Sequence, residues 1–433
     1  MSAALVLAAD AAAALRPLAG RTLVERVALT ARASGAQRVF VLAADEDGAA
    51  RLRDKSSSTE VVSLGDLAPL RDALGACPDA PLLWLSATRV YDVGLAALPA
   101  WADAAPKDKE LHVATSAGPD PEPSLWLSRC DLLERTGDGA LAATLAAGTP
   151  GPLASGGDLE IVPSVASAAG AGHAIEVRDP RAARLAQRAL LQGCRKAGDN
   201  VVARYFNRYV SLFITGRIAA HLPCITPNQV TVFSLAVGLT ASVVLALCGA
   251  DGLALGAAIL VVQEILDGID GELARLTWRQ TRLGELLDTG GDALVLLVFA
   301  GTLCVVVHQT GAHVTALAGL VGLAAWTGFV GLMFGELKPI GRGDFLIATA
   351  NLKERRPLPE GRGLRALHAR WVRMVVRFNG IWMRHDVFVP LILVAGLCDA
   401  PRLVVWVFCG SGLLNLGYGI YRLASPLSRD APH

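Results

Sequence analysis

Four aspartates carry the strongest chemical signal in this 433-residue chain. Asp267 and Asp270 lie in Glu264-Ile-Leu-Asp-Gly-Ile-Asp-Gly-Glu-Leu-Ala-Arg275, and Asp288 and Asp292 lie in Leu283-Gly-Glu-Leu-Leu-Asp-Thr-Gly-Gly-Asp292. The first pair is spaced i,i+3 and the second i,i+4, so each pair shares one face of a helix. The connection between the segments is short, which makes the two helices antiparallel neighbours and lets all four carboxylates converge. Oxygen donors with few other ligands suit hard divalent cations, so the set predicts one or two Mg²⁺ or Mn²⁺ ions. Gly268, Gly271, Ala274 and Gly284 stand beside the acids. Small residues there allow close helix packing, or the approach of a bulky ligand to the backbone. Together with Arg275 they describe a site for a diphosphate. Loose helix-end charges would not repeat at such regular spacing.

The elements that hold these acids are apolar. The chain is 53% hydrophobic and 18% charged, with a mean hydropathy of +0.44, which excludes disorder and is high for a soluble enzyme. Gln229–Cys248, Leu253–Leu266, Ala293–Val307, Val314–Phe334, Val387–Cys398 and Leu403–Ile420 read as six membrane spans, several needing flanking residues to reach the roughly 20 that a span requires. An ionised Asp at the bilayer centre costs about 2.5–3.5 kcal/mol, so four would cost roughly 10–14 kcal/mol. Metal ions and the nearby Arg275, Arg279 and Arg282 would offset part of this. Loop charges set the orientation. Eleven basic residues, Lys338 to Arg384, separate the fourth and fifth spans, whereas the opposite loops hold almost none. The positive-inside rule then places both termini and the aspartates on the cytoplasmic side, and an even number of spans agrees.

The remainder of the chain differs in character. Residues 1–175 hold 14 Lys+Arg and 21 Asp+Glu, against 26 and 18 in residues 176–433. The overall net charge of +1 therefore joins an acidic unit to a basic one. The basic half is also the apolar half, which argues against nucleic acid as a partner. In residues 1–175 short apolar runs alternate with helical stretches. Candidate strands are Ala4–Ala9, Arg38–Ala44, Val61–Leu64, Leu82–Ser86, His112–Thr115 and Leu125–Ser128, the pattern of an α/β, Rossmann-like domain with a mainly parallel sheet. Ser167–His173 reads as a linker. Residues 176–220 then place arginines, with Tyr205, Phe206, Tyr209 and Phe213 between the later ones, in a juxtamembrane amphipathic helix suited to an anionic bilayer surface. The eight cysteines lack ligand spacing and read as small apolar residues in a reducing compartment. Met1–Asp10 lacks a basic start and makes a poor signal peptide.

Asp267-x2-Asp270-Gly271-x2-Ala274-Arg275-x8-Gly284-x3-Asp288-x3-Asp292 resembles the signature of the CDP-alcohol phosphotransferases, with every fixed position present. Thr226-Pro227-Asn228-Gln229-Val230-Thr231 resembles that family's entry to its first span, and the likeness covers roughly residues 199–425. The resemblance implies a six-helix membrane domain (221–425), commonly dimeric, that transfers a substituted phosphate from a CDP-alcohol to an acceptor hydroxyl and releases CMP. By that resemblance Asp267, Asp270, Asp288 and Asp292 bind two divalent ions. Asp270, Gly271, Ala274, Arg275 and Gly284 contact the CDP diphosphate, and Asp292 is the general base. Lys338, Arg342 and Arg384 are candidates for a phosphate on the acceptor. Polyprenyl transferases also carry Asp-rich membrane helices but lack the Gly-x2-Ala-Arg continuation. A transporter with intramembrane carboxylates would not gather its acids at one end of the bundle. Residues 1–175 resemble sugar-phosphate nucleotidyltransferases through Leu5–Ala9, Pro17–Val27 and Gly35–Val41. The stretch matching their phosphate loop, Asp10–Arg16, has no glycine, and Thr88 stands near where their metal-binding Asp falls. An inactive nucleotidyltransferase-like domain is expected, the alternative being a bifunctional enzyme with an active cytidylyltransferase. The fusion itself hints at a polyol or inositol phosphate substrate.

Overall fold

The computed structural model describes residues 3–33, 35–55, 59–76, 80–91, 111–115, 123–130, 132, 138–147, 161–163, 174–195, 206–337 and 385–423. The chain divides into two compact units, Met1–Cys194 and Arg195–His433. The division falls inside the basic segment 176–220, so that segment gives one helix to each unit.

The strands of the first unit are β1 (Ala3–Ala8), β2 (Pro17–Leu18), β3 (Arg21–Thr22), β4 (Arg38–Ala43), β5 (Glu60–Ser63), β6 (Pro81–Ser86), β7 (Arg89–Tyr91), β8 (Leu111–Thr115), β9 (Pro123–Arg129), β10 (Ile161–Pro163) and β11 (Ala174–Glu176). Seven of them form one sheet in the order β10-β8-β9-β6-β1-β4-β5. Four of its six pairings are parallel, and β9 runs antiparallel to both neighbours. Strand β1 is apolar throughout because both its faces are covered. Ala4, Val6 and Ala8 pack with Val24, Val27 and Leu52 on one side, and Leu5 and Leu7 with Leu70, Trp84 and Leu141 on the other. The covering helices are α2 (Leu23–Ala33) and α3 (Glu46–Lys55) on the first face, α4 (Ala68–Gly75) and α5 (Asp138–Ala147) on the second; α1 (Ala11–Ala14) is one turn and α6 (Pro180–Gly193) ends the unit.

The α/β reading holds, and all six strands expected from sequence are present. The short pairs β2–β3 and β7–β11 and strand β10 were not legible, because two or three residues carry no alternation. The β2–β3 turn places Ala19 and Gly20 at φ 48° and 82°. Buried Arg26 secures it, donating from Nε to the Leu18 carbonyl at 2.8 Å and from Nη2 to the Ala19 carbonyl at 2.5 Å. Burial pushes the Arg26 guanidinium down to about 10. The expected linker, Ser167–His173, lies outside the described residues.

The second unit is helical: α7 (Arg208–His221), α8 (Pro227–Cys248), a 3₁₀ turn at Gly249–Gly252, α9 (Leu253–Thr277), α10 (Arg282–Gln309), α11 (His313–Leu337), α12 (His385–Leu397) and α13 (Pro401–Leu423). Among the described residues four helical stretches are long and apolar enough to cross a membrane: 227–277, 282–309, 313–335 and 401–420. The first contains both α8 and α9, divided by the 3₁₀ turn. The described part of α12 has 13 residues, short of the ~20 that a crossing needs. Four stretches meet the criterion among the described residues, the first of them holding both the first and the second expected span.

Hydropathy ended the second span at Leu266 and began the third at Ala293. Helices α9 and α10 instead run through the acidic segment, and their ends are set by local chemistry. Trp278 closes α9 in the left-handed region at φ 55°, and the Thr281 side chain accepts from Gly284 N to open α10. Helix α8 begins with a reciprocal cap: Thr226 N donates to Gln229 Oε1 at 2.8 Å, Gln229 N donates to Thr226 Oγ1 at 3.4 Å, and Pro227 occupies the first turn. Helix α8 packs on both α9 and α10, α12 packs on α9, α11 packs on α10, and α11 pairs with α13. Helix α7 turns Ser211, Leu212, Thr215 and Ala219 inward and leaves Tyr209 and Phe213 exposed.

Candidate active site

The Trp278–Thr281 turn reverses the chain between α9 and α10, both of which pack on α8, so that carboxylates of their acidic segments meet. At 1.5 Å rise per residue, Asp270 and Asp288 sit ~10 Å inside the helix ends, and Asp267 and Asp292 ~15 Å inside. The structure brings Asp267, Asp288 and Asp292 together: one carboxylate oxygen from each lies within 4.8 Å of the others, a group able to hold a metal ion. At an effective dielectric near 20, two ionised carboxylates at that separation repel by about 3.5 kcal/mol. Three half-buried carboxylates in mutual contact therefore favour a divalent cation among them.

Asp270 stands outside this tight group. It is 4% exposed and accepts a hydrogen bond from the Thr231 hydroxyl of α8. Its carboxylate faces a cleft of about 250 Å³ whose lining includes Gly271, Ala274, Arg275, Gly284 and Asp288, with Asn228 and Thr231 from α8 and Arg279 and Thr281 from the turn. Five of the expected residues thus line one cleft with Asp288, which also belongs to the carboxylate group. Gly284 keeps the cleft open, since a Cβ there would lie 3.0 Å from Asn228 Oδ1 and 3.1 Å from Thr281 Oγ1. Gly271 leaves room for the Arg275 guanidinium, whose Nη1 would lie 3.2 Å from an added Cβ. Gly268 serves helix packing instead, since its open face receives Arg208 and Ser211 of α7. Lys338, Arg342 and Arg384 lie outside the described residues.

Sequence reasoning missed two polar side chains here. Glu272 is fully buried and accepts from Arg208 Nη1 at 2.9 Å, Ser211 Oγ at 2.6 Å and Thr215 Oγ1 at 2.8 Å. It is one helical turn from Gly268, and that glycine beside an acid was the available signal for a close helix contact. Gln263, 2% exposed, donates from Nε2 to Asp292 Oδ1 at 3.0 Å. Nothing in an apolar run marks a glutamine as a partner of a residue 29 positions later.

The sequence profile described as CDP-alcohol phosphatidyltransferase matches residues 224–337, which contain all four aspartates. A putative cardiolipin synthase of Mycobacterium tuberculosis is 31% identical over 195 residues, covering 45% of this chain and 76% of its own. The chain belongs to the CDP-alcohol phosphatidyltransferase family. Proteins named bifunctional IPC transferase and DIPP synthase are also similar. That of Thermococcus kodakarensis is 33% identical over 132 residues, 29% of each chain. That of Rubrobacter xylanophilus is 31% identical over 257 residues, 58% of this chain and 47% of its own. The alignments therefore span less than half the length of these bifunctional relatives. Membership of this membrane family, together with four apolar helical stretches, makes the chain a multi-pass membrane protein.

Proposed function

We propose that the chain is a CDP-alcohol phosphotransferase, moving a substituted phosphate from a CDP-alcohol donor to an acceptor hydroxyl, with release of CMP and formation of a phosphodiester. The observation that carries this reading is the carboxylate group of Asp267, Asp288 and Asp292 beside a cleft lined by Gly271, Ala274, Arg275 and Gly284. The all-oxygen donor set fits Mg²⁺ or Mn²⁺, so these three aspartates would hold the ions, with Asp270 at the border of ion and diphosphate. Bound divalent ions supply polarisation of the diphosphate and stabilisation of CMP as the leaving group.

The chain's own residues do the rest. Arg275 offers guanidinium donors to the diphosphate, and the absent side chains of Gly271 and Gly284 let it reach the helix backbones. Thr231 fixes the Asp270 carboxylate. Asp292 takes the proton from the acceptor hydroxyl. The acceptor oxygen bonds to the phosphorus that carries the donor alcohol, and the bond from that phosphorus to the CMP oxygen breaks. Six crossings, termini and site on the cytoplasmic side, a homodimer, and an acceptor phosphate held by Lys338, Arg342 and Arg384 belong to the same reading. It rests on loop charge and family resemblance.

For the N-terminal unit we propose a nucleotidyltransferase-like domain without that activity. Asp10, in the stretch that would form the phosphate loop, is used as a helix cap, accepting from Ala12 N at 2.8 Å. Thr88, near the position of the missing metal-binding Asp, is 3.0 Å from Ser86 Oγ. The fusion of such a unit to the membrane domain favours an inositol phosphate or other polyol phosphate as a substrate.

The test is Mg²⁺-dependent CMP release from CDP-diacylglycerol and CDP-polyol donors, each against inositol phosphate, glycerol phosphate and inositol. Asp292→Asn should insert and fold yet release no CMP, and turnover near wild type would remove Asp292 as the base. Pyrophosphate release from CTP and polyol phosphates by the full chain would restore the bifunctional alternative.

A further inference from the structure

Gln263 lies on α9 one turn deeper in the bundle than Asp267, where three helices meet. Its backbone carbonyl accepts from Ser234 Oγ of α8 at 3.1 Å. Its side-chain stem passes over Gly238 of α8, where an added Cβ would lie 3.0 Å from Gln263 Cγ and 2.8 Å from Val295 Cγ1. The stem is thereby confined in a slot that only glycine leaves open. At its tip Nε2 meets Asp292 Oδ1 of α10 at 3.0 Å. A carboxylate only accepts, so chemistry fixes which end of the amide faces Asp292. The other end, Oε1, is buried with no hydrogen-bond partner among the described residues. A buried amide with one unsatisfied end is unfavourable where an aliphatic side chain would fit. The contact with Asp292 is what this arrangement secures.

We infer that Gln263 is a positioning residue for Asp292: it holds one carboxylate oxygen toward α9 and so sets which oxygen is turned to the metal group. This inference rests on the proposed role of Asp267, Asp288 and Asp292 as metal ligands. Groups that orient metal-binding carboxylates through a hydrogen bond typically change metal affinity or activity by about 10–100-fold when removed.

The experiment titrates the full chain in detergent with Mn²⁺ alone, following the free-ion resonance signal, with thermal unfolding measured in the absence of metal. Gln263→Met keeps the length of the stem and removes the donor; Gln263→Asn keeps the amide and withdraws it from reach. Both should bind Mn²⁺ about 10–100-fold more weakly than wild type, with the metal-free unfolding temperature little changed. Should Gln263→Met fail to fold, Gln263→Asn carries the same comparison. Asp288→Asn separates the two levels of the argument. If it lowers Mn²⁺ affinity while the Gln263 variants bind as wild type, the positioning role is overturned and the metal assignment stands. If Asp288→Asn itself binds as wild type, the metal assignment falls and the positioning role with it.

Discussion

Replacing Glu272 by Leu tests how helix α7 is held to the helix that carries Asp267 and Asp270. Glu272 is fully buried and Arg208 nearly so, with side-chain exposures of 0% and 11%. The substitution removes the carboxylate that pairs with the Arg208 guanidinium and accepts two further hydrogen bonds, from Ser211 and Thr215. Removing one member of a buried ion pair costs about 3–5 kcal/mol. For a unit of this size each kcal/mol lowers the unfolding temperature by about 2–4 °C, so Glu272→Leu should unfold roughly 6–20 °C below wild type. Arg208→Met, which strands the carboxylate instead, should fall in the same range. The double substitution removes both charges and should recover most of the loss, because an apolar pair of similar volume is often neutral against a buried ion pair. Ser211 and Thr215 can then return their hydroxyls to backbone carbonyls one turn earlier. The assay is thermal unfolding of the purified protein in detergent, followed by tryptophan fluorescence. If Glu272→Leu unfolds within about 2 °C of wild type, the lower bound for a single kcal/mol, or if the double variant is less stable than either single one, the clamp does not hold the helix as argued.

Gly284→Val should narrow the cleft against Asn228 and Thr281. Overpacking of about 1–3 kcal/mol corresponds to a KM for the CDP-alcohol raised roughly 5–150-fold, and an unchanged KM would refute the cleft assignment. Thr231→Val keeps shape but removes the hydroxyl bound to Asp270; a loss of about 1.5–3 kcal/mol should lower kcat/KM by roughly 10–150-fold, read from initial rates of CMP release. In the N-terminal unit, burial pushes the Tyr91 phenol up to about 12. The folded chain then keeps a proton that the unfolded chain loses above its ordinary value of 10. The stability is therefore present below pH 10 and lost as the pH rises toward 12, by up to about 2.7 kcal/mol. Tyr91→Phe should flatten that alkaline loss in circular dichroism, and an unchanged slope would exclude Tyr91 as its source.

The acidic motif and the helices that bear it were legible in sequence because i,i+3 and i,i+4 spacing maps directly onto a helix face. Strands β1, β4 and β6 were legible because a strand buried on both faces is apolar along nearly its whole length. Hydropathy misplaced the inner ends of α9 and α10, since it counts aspartates against a span, whereas helix continuation depends on the backbone and the caps at Trp278 and Thr281. Spacing put Asp270 on the same footing as the other three acids. The tertiary structure separates it, because Thr231 reaches it from a third helix and turns it to the cleft. The roles of Gln263 and Glu272 were not legible for the same reason: each acquires its meaning from a partner on another helix, 29 residues away in one case and 64 in the other. Local spacing determines which side chains of one helix face the same way. Which of them meet, and which are left to hold a neighbour, is decided only when the helices pack.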